Sequence, residues 1–147
     1  MTTEKARERA AELSKEFYAK DDAVGWFDAL YREAGGDAEK LPWGDLIANP
    51  HFTRWLEKHE TGGAGKTAIV VGCGLGDDAE ELARREFAVT AFDVSPKAVE
   101  WARAIHPNTK VNYLVADLFN LPEELKNKFD FVLEIYTIQA LPLSMRE

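Results

Sequence analysis

The chain has 147 residues, 46% hydrophobic and 30% charged, with 4 Trp, 4 Tyr and 8 Phe; that is enough apolar mass for one packed domain and too much for a disordered chain. Its formal net charge of −8 opposes phosphate backbones and anionic headgroups, so nucleic acid and membrane are not expected as partners, whereas a zwitterionic or cationic ligand is welcome. The single cysteine, Cys73, excludes an internal disulfide and a four-cysteine zinc site.

The N-terminal stretch from Met1 to Arg9 is charged and has no apolar core of a leader peptide, and no uncharged run approaches the ~20 apolar residues of a membrane span. The expected compartment is the cytoplasm. Residues 3–34 read as helical. Ala6, Ala10, Leu13 and Phe17 share one helix face, and a second amphipathic segment carries Val24, Phe27, Leu30 and Tyr31. Gly35-Gly36-Asp37 stops it, and Pro42, Gly44 and Pro50 interrupt regular structure in the stretch after Leu41. His51 to Glu60 reads as a third short helix, and Thr61–Gly65 as a linker.

Beyond the linker, strands alternate with helices. Ala68–Val71 is a buried strand, Gly72-Cys73-Gly74-Leu75-Gly76 a tight turn, Asp77–Glu86 a helix and Ala88–Phe92 a second strand. Ser95-Pro96 is an N-cap followed by proline at the first helical position, opening a helix to about Ile105. Val111–Val115 is the third strand, Asn120 to about Lys126 a short helix, and Phe129–Ile135 the fourth strand. This alternation implies βαβ units: an α/β, Rossmann-like partial parallel sheet of about four strands with N-terminal helices. The expected organisation is a helical lid or cap over residues 1–61 and a ligand-binding core over 66–147, within a single domain.

The glycine turn follows an apolar strand and opens a helix, the context in which such a turn is informative. Gly72, Gly74 and Gly76 allow a sharp bend and bring main-chain atoms close to a ligand. Asp93 ends the second strand 21 residues after Gly72, where a carboxylate can accept both ribose hydroxyls of an adenosine ligand; the alternative is an Asx turn or a cap for the helix at Ser95. A dinucleotide fingerprint wants Gly or Ala at the position occupied by Asp77, and Asp78 follows it. Two carboxylates at a helix N-terminus repel the pyrophosphate that docks there in a nicotinamide dehydrogenase. S-adenosylmethionine has no phosphate and carries an ammonium and a sulfonium, so the charges select it over NAD. Asp117 ends the third strand, where it can accept from the adenine amino group while Leu118 covers the ring; a turn or helix-cap role is open as well. Glu134, near the end of the fourth strand, can hold the methionine ammonium or be an edge-strand charge.

Val70 to Asp78, Phe92-Asp93-Val94-Ser95, Ala116-Asp117-Leu118 and Phe129 to Glu134 resemble, in order and spacing, the motifs of class I S-adenosylmethionine-dependent methyltransferases over about residues 66–140. The tail Gln139 to Arg146 and the early Pro42-Trp43 look like the thiopurine S-methyltransferase-like and tellurite-resistance branch, which often lacks an acid where Val70 stands. Ile135 departs from the arginine that thiopurine-type members often carry after the fourth-strand acid. The resemblance implies S-adenosylmethionine as cofactor, with Val71 and Val94 joining the residues above in the cofactor-binding set and Trp43 lying over the cofactor or substrate pocket. Trp43 can equally be a helix-packing anchor. The resemblance also implies seven strands where this chain supplies four, hence the expectation of a C-terminally truncated domain whose last strand is an edge.

The expected reaction is methyl transfer to a small molecule, first of all a thiol or other soft nucleophile. A thiolate needs no general base, and no catalytic residue is assigned. The alternative is a non-catalytic S-adenosylmethionine-binding fragment or interaction module. Gly62 to Thr67 ends like a phosphate-binding loop but has Glu60 where that motif needs glycine and precedes a strand, so it reads as linker. Cys73 reads as a packing residue, and His51, His59 and His106 show no metal-ligand spacing, so no metal is expected.

Overall fold

The computed structural model describes residues 3–146. Among them run α1 (Thr3–Tyr18), α2 (Gly25–Ala34), α3 (Pro50–Lys58), β1 (Thr67–Val71), α4 (Asp77–Arg84), β2 (Ala88–Asp93), α5 (Pro96–Ile105), β3 (Asn112–Val115) and β4 (Phe131–Glu134). The four strands form one parallel sheet in the order β3-β2-β1-β4. The chain builds outward from β1 through β2 to β3 and then crosses to the other side of β1. That reversal is the switch point at which open α/β sheets form a crevice beyond the carboxyl ends of their strands. Register brings those ends level: Val71 pairs with Phe92 and Glu134, and Asp93 with Val115. The α/β, Rossmann-like expectation is therefore met, with β4 hydrogen-bonded on one side only.

Alternation along the strands decides which face is covered. Ala68, Val70, Val89, Ala91 and Leu133 pack into one cluster with Phe52 and Leu56 of α3, Ala79 and Leu82 of α4, and Val99 and Ala102 of α5. Ile69 and Phe92 point the other way, against Ala116 and Leu125. A third cluster joins α1 and α2 to the glycine turn and α5 through Leu13, Trp26, Leu30, Tyr31, Leu75 and Ala98.

Local chemistry sets the helix starts. Asn49 caps α3 by accepting the His51 and Phe52 N–H groups at 2.9 and 3.3 Å, with Pro50 beginning the helix. Ser95 caps α5 as expected: its Oγ accepts the Ala98 N–H at 3.0 Å. The same hydroxyl donates to Asp28 Oδ1 of α2 at 2.6 Å, and the Lys97 N–H donates to that oxygen at 3.1 Å. The short helix expected from Asn120 to Lys126 is not formed. Leu118–Asn120 and Glu123–Leu125 are separate 3₁₀ turns. Asp117 starts the first by accepting the Phe119 N–H, and Pro122, which has no N–H, interrupts any continuous ladder.

Candidate functional site

At the carboxyl ends of the strands lies a cleft of about 550 Å³, within the ~300–1,000 Å³ usual for small-molecule sites. Its floor is the glycine turn, and its walls come from the N-terminal region, the segment after β3 and the loop after β4. Gly72, Gly74 and Gly76 all have positive φ, at 63°, 54° and 91°, a region open mainly to glycine. They do different jobs. Gly72 and Gly74 border the cleft, whereas Gly76 is the N-cap of α4 and lies outside the lining. A Cβ on Gly76 would stand 2.2 Å from the buried Tyr113 Oη, so this glycine makes room for packing rather than for a ligand.

Asp93 is 8% exposed and lies directly under the turn. Its Oδ2 accepts the Gly74 N–H at 2.9 Å and its Oδ1 accepts the Ser95 N–H at 3.0 Å. The two carboxylate oxygens have about four acceptor sites between them, so these bonds do not exhaust them, and Asp93 is among the residues that line the cleft. Burial pushes the Asp93 carboxyl above its ordinary range, against the pull of the Ser95, Gly74 and Val94 N–H groups. Val71, Val94, Asp117 and Leu118 also line the cleft. Asp117 is thus both a cap, accepting the Phe119 N–H at 2.9 Å, and a cleft wall.

Glu134 departs from its expected place. It is not among the cleft-lining residues. Its Oε1 accepts the N–H groups of Thr137 and Ile138 at 2.7 and 2.9 Å, because the chain turns back immediately after β4 and offers two unpaired donors to the nearest carboxylate. Trp43 does border the cleft, anchored by its Nε1–H donating to Tyr31 Oη at 2.7 Å. The rings of Tyr31 and Phe27 lie 6.0 and 6.3 Å from it, centroid to centroid. Both roles weighed for this residue, cleft wall and packing anchor, therefore meet in one side chain. Tyr31→Phe removes the acceptor but leaves a half-exposed indole that water can reach. It is expected to lower stability by only about 1 kcal/mol and to red-shift tryptophan emission; an unshifted spectrum would mean that the bond does not place the indole.

Several cleft residues carry no signal in the sequence. Tyr31 and Phe27 read as helix core, and Asn49 and Thr137 as nothing in particular. The structure brings Asp78 Oδ1 to the Asn49 N–H at 2.7 Å and packs Thr137 against Gly72, where a Cβ would meet the Thr137 Oγ1 at 2.3 Å. Burial pushes the Asp77 and Asp78 carboxyls up from the ordinary range. Cys73 lines the cleft, and burial pushes its thiol well up, which keeps it protonated and inert. His106 Nε2 pairs with the Leu75 carbonyl at 3.1 Å, a bond between α5 and the turn. Among the described residues, no cluster of three metal-ligating side chains is present, and no helix is long and apolar enough to cross a membrane.

The family described as methyltransferase domain matches residues 68–147. Among curated proteins, the ubiquinone biosynthesis O-methyltransferase of Pseudomonas paraeruginosa is 31% identical over 122 residues, covering 81% of this chain and 51% of that protein. The Azotobacter vinelandii protein of the same name is 33% identical with the same coverage. The chain spans about half the length of the curated relatives it matches. Among solved structures, a protein described for conversion of a disulfide bond into a thioacetal group during echinomycin biosynthesis superposes with a TM-score of 0.65 at 31% identity, covering 76% of this chain and 46% of that one. A Haemonchus contortus N-methyltransferase in complex with S-adenosylhomocysteine gives 0.50 at 25% identity, covering 61% and 22%.

Proposed function

This chain belongs to the methyltransferase-domain family, and from that premise we propose that it binds S-adenosylmethionine over Gly72 and Gly74 and serves methyl transfer to a small soft nucleophile, a thiol first of all. The observation that carries the reading is the Asp93 carboxylate, fixed by the Gly74 N–H beside the glycine turn and lining the cleft. It fits a ribose with two hydroxyls. The charge around it fits a phosphate-free ligand: Asp77 and Asp78 stand in the first turn of α4, where a pyrophosphate would need empty space. When bound, the cofactor supplies a methyl group on a sulfonium, whose bond electrons return to sulfur as the acceptor forms its new bond to carbon.

In this reading Asp93 holds the ribose, Asp117 and Leu118 take the adenine, and Val71 and Val94 wall the nucleoside. Glu134 contributes through the turn that it caps. The N-terminal region, residues 1–61, acts as a cap that excludes water, with Trp43 at its inner edge. Sulfur as the accepting atom is supported by the resemblance of the Pro42-Trp43 pair and the 139–146 tail to the thiopurine S-methyltransferase-like and tellurite-resistance branch, and by the thioacetal chemistry described for the solved relative. A hydroxyl acceptor, as named for the curated relatives, would also need its proton removed. A second reading is a cofactor-binding module without turnover. Turnover with a small thiol decides between the two.

Isothermal titration tests the cofactor. S-adenosylmethionine and S-adenosylhomocysteine should both bind, and a folded chain that gives heat with neither overturns the reading. The charge argument has its own check. Asp77, Asp78 and Asp93 are each pushed up by burial, so they ionise only as pH climbs past the ordinary carboxylate range. Acidification from about pH 7 to about pH 4 should therefore neutralise them first. The preference for the sulfonium over its uncharged product should fall by about fivefold, about 1 kcal/mol, as one short-range charge pair is lost. A preference that stays level or rises on acidification would contradict the electrostatic selection.

A further inference from the structure

A second concavity lies between α1 and the segment that follows β4, separated from the cleft by Ala140 and Leu141, which border both. It holds about 420 Å³, again within the range of small-molecule sites. Trp26 of α2 forms part of its lining and is 4% exposed. Aromatic packing fixes the indole: it stacks on Phe27 at 3.9 Å and meets Trp43 edge-on at 6.2 Å, centroid to centroid. Its Nε1–H is nonetheless buried with no acceptor, the one such side-chain group among the described residues. A buried indole N–H ordinarily finds a partner, and one left without it asks for an explanation.

The neighbouring polar groups do not supply that acceptor. Tyr18 Oη takes the Ala140 carbonyl at 2.9 Å. Arg146 takes the Leu141 carbonyl through Nε at 2.9 Å and the Gln139 carbonyl through Nη2 at 2.7 Å. Those two bonds engage two of the five guanidinium N–H donors. No acidic residue lines this groove, although the chain carries a net charge of −8. What borders it is an unanswered neutral donor, a cation with donors in reserve, and the apolar surface of Ala10, Ala11 and Leu143, the last 77% exposed. The wall opposite α1 is built on two 3₁₀ turns, Ile138–Ala140 and Leu143–Met145, whose hydrogen bonds are poorer than those of an α-helix.

We propose that this groove is a second binding site, separate from the cleft, for an organic monocarboxylate with a short apolar chain. The carboxylate accepts from Trp26 Nε1 and from Arg146, and the chain covers Ala10, Ala11 and Leu143. The 3₁₀ turns yield to let the acceptor reach the indole. The assignment does not depend on the methyl-transfer reading, because no group of the proposed nucleoside site takes part in it.

The test follows the indole N–H signals of the isotope-labelled full chain by two-dimensional NMR, with octanoate as the probe. The signal absent from Trp26→Phe identifies Trp26. Octanoate should move that signal downfield to a plateau, because a carboxylate completes a charge-assisted hydrogen bond. Octylamine, with the same chain and the opposite charge, and acetate, with the charge and no chain, should leave it in place. Ala11→Phe adds a ring to an exposed position of α1 that lines the groove, so the fold is not put at risk; it should weaken octanoate by at least about tenfold by filling the site. Arg146→Gln should weaken it by about tenfold through loss of a charged donor. An unmoved Trp26 signal, an equal response to octylamine or acetate, or an octanoate affinity unchanged in either variant overturns the assignment.

Discussion

Asp93→Ala should abolish detectable S-adenosylhomocysteine binding and lower unfolding stability by about 3 kcal/mol. The stability part follows from what the carboxylate does without any ligand. It accepts the Gly74 and Ser95 N–H groups, and a methyl group leaves both donors buried with no acceptor, at about 1–3 kcal/mol each. The loss is partly offset, because burial disfavours the charge on Asp93 and the alanine variant is relieved of it. The binding part follows because the same bond fixes Gly74 against the strand end: without it, both the proposed ribose acceptor and the shape of the turn are lost. Asp93→Asn separates the two effects. Its amide oxygen can replace one accepted bond, while its NH₂ faces the other donor, so it should keep more stability than alanine and no more binding. Denaturant midpoints and titration calorimetry on the three proteins give the answer. An alanine variant that binds within about threefold of wild type, less than the worth of one hydrogen bond, would remove Asp93 from the site.

Gly76→Ala is expected to be the most damaging small substitution in the turn, although it adds one carbon and touches no cleft surface. Two costs add. The φ of 91° is unfavourable for any residue with a Cβ, by about 1–2 kcal/mol. The new atom would lie 2.2 Å from Tyr113 Oη and 2.8 Å from Tyr113 Cζ, and overpacking of this kind costs about 1–3 kcal/mol. Tyr113 cannot withdraw. It is 2% exposed, its hydroxyl donates to Glu80 Oε1 at 2.8 Å, and Thr109 Oγ1 donates to that same oxygen. A total of about 4 kcal/mol corresponds to a fall of about 10 °C in melting temperature for a chain of this size. Combining it with Tyr113→Phe should restore only part, about 1 kcal/mol, because the clash with Oη disappears but Glu80 loses a donor. A Gly76→Ala protein that melts within about 2 °C of wild type would show that the turn and the Tyr113 ring can move apart.

What could be read without coordinates were the features in which a residue type carries its own constraint. Three glycines in five residues predicted a tight turn, and all three take positive φ. Ser95-Pro96 predicted a helix start, and a strand-end acid predicted Asp93 beneath the turn. The features that escaped depend on partners far away in sequence. Tyr31 receives the Trp43 indole N–H, Asn49 reaches Asp78, and Thr137 fills the space over Gly72; such cross-element bonds impose no period on either segment. Glu134 was placed at the right strand end, yet its orientation was decided by two backbone donors exposed only once the chain had turned. Residues 120–126 looked helical by composition, but Asp117 and Pro122 divide them into two turns. Tyr136 in the left-handed region runs against its residue type, so nothing local could predict it.

The bonds from Asp28 to Ser95 and Lys97 anchor α2 to the front of α5, and the Asn49–Asp78 bond anchors the start of α3 to α4. The stretch between these two moorings, about residues 35–48, is consequently a bridge fastened at both banks rather than a flap free at one. That span carries Trp43, which borders the cleft, and the left-handed Leu46, so on the proposed reading a ligand entering the cleft passes beneath it. Shortening it by a single residue is expected to slow ligand entry and release, which stopped-flow binding would register.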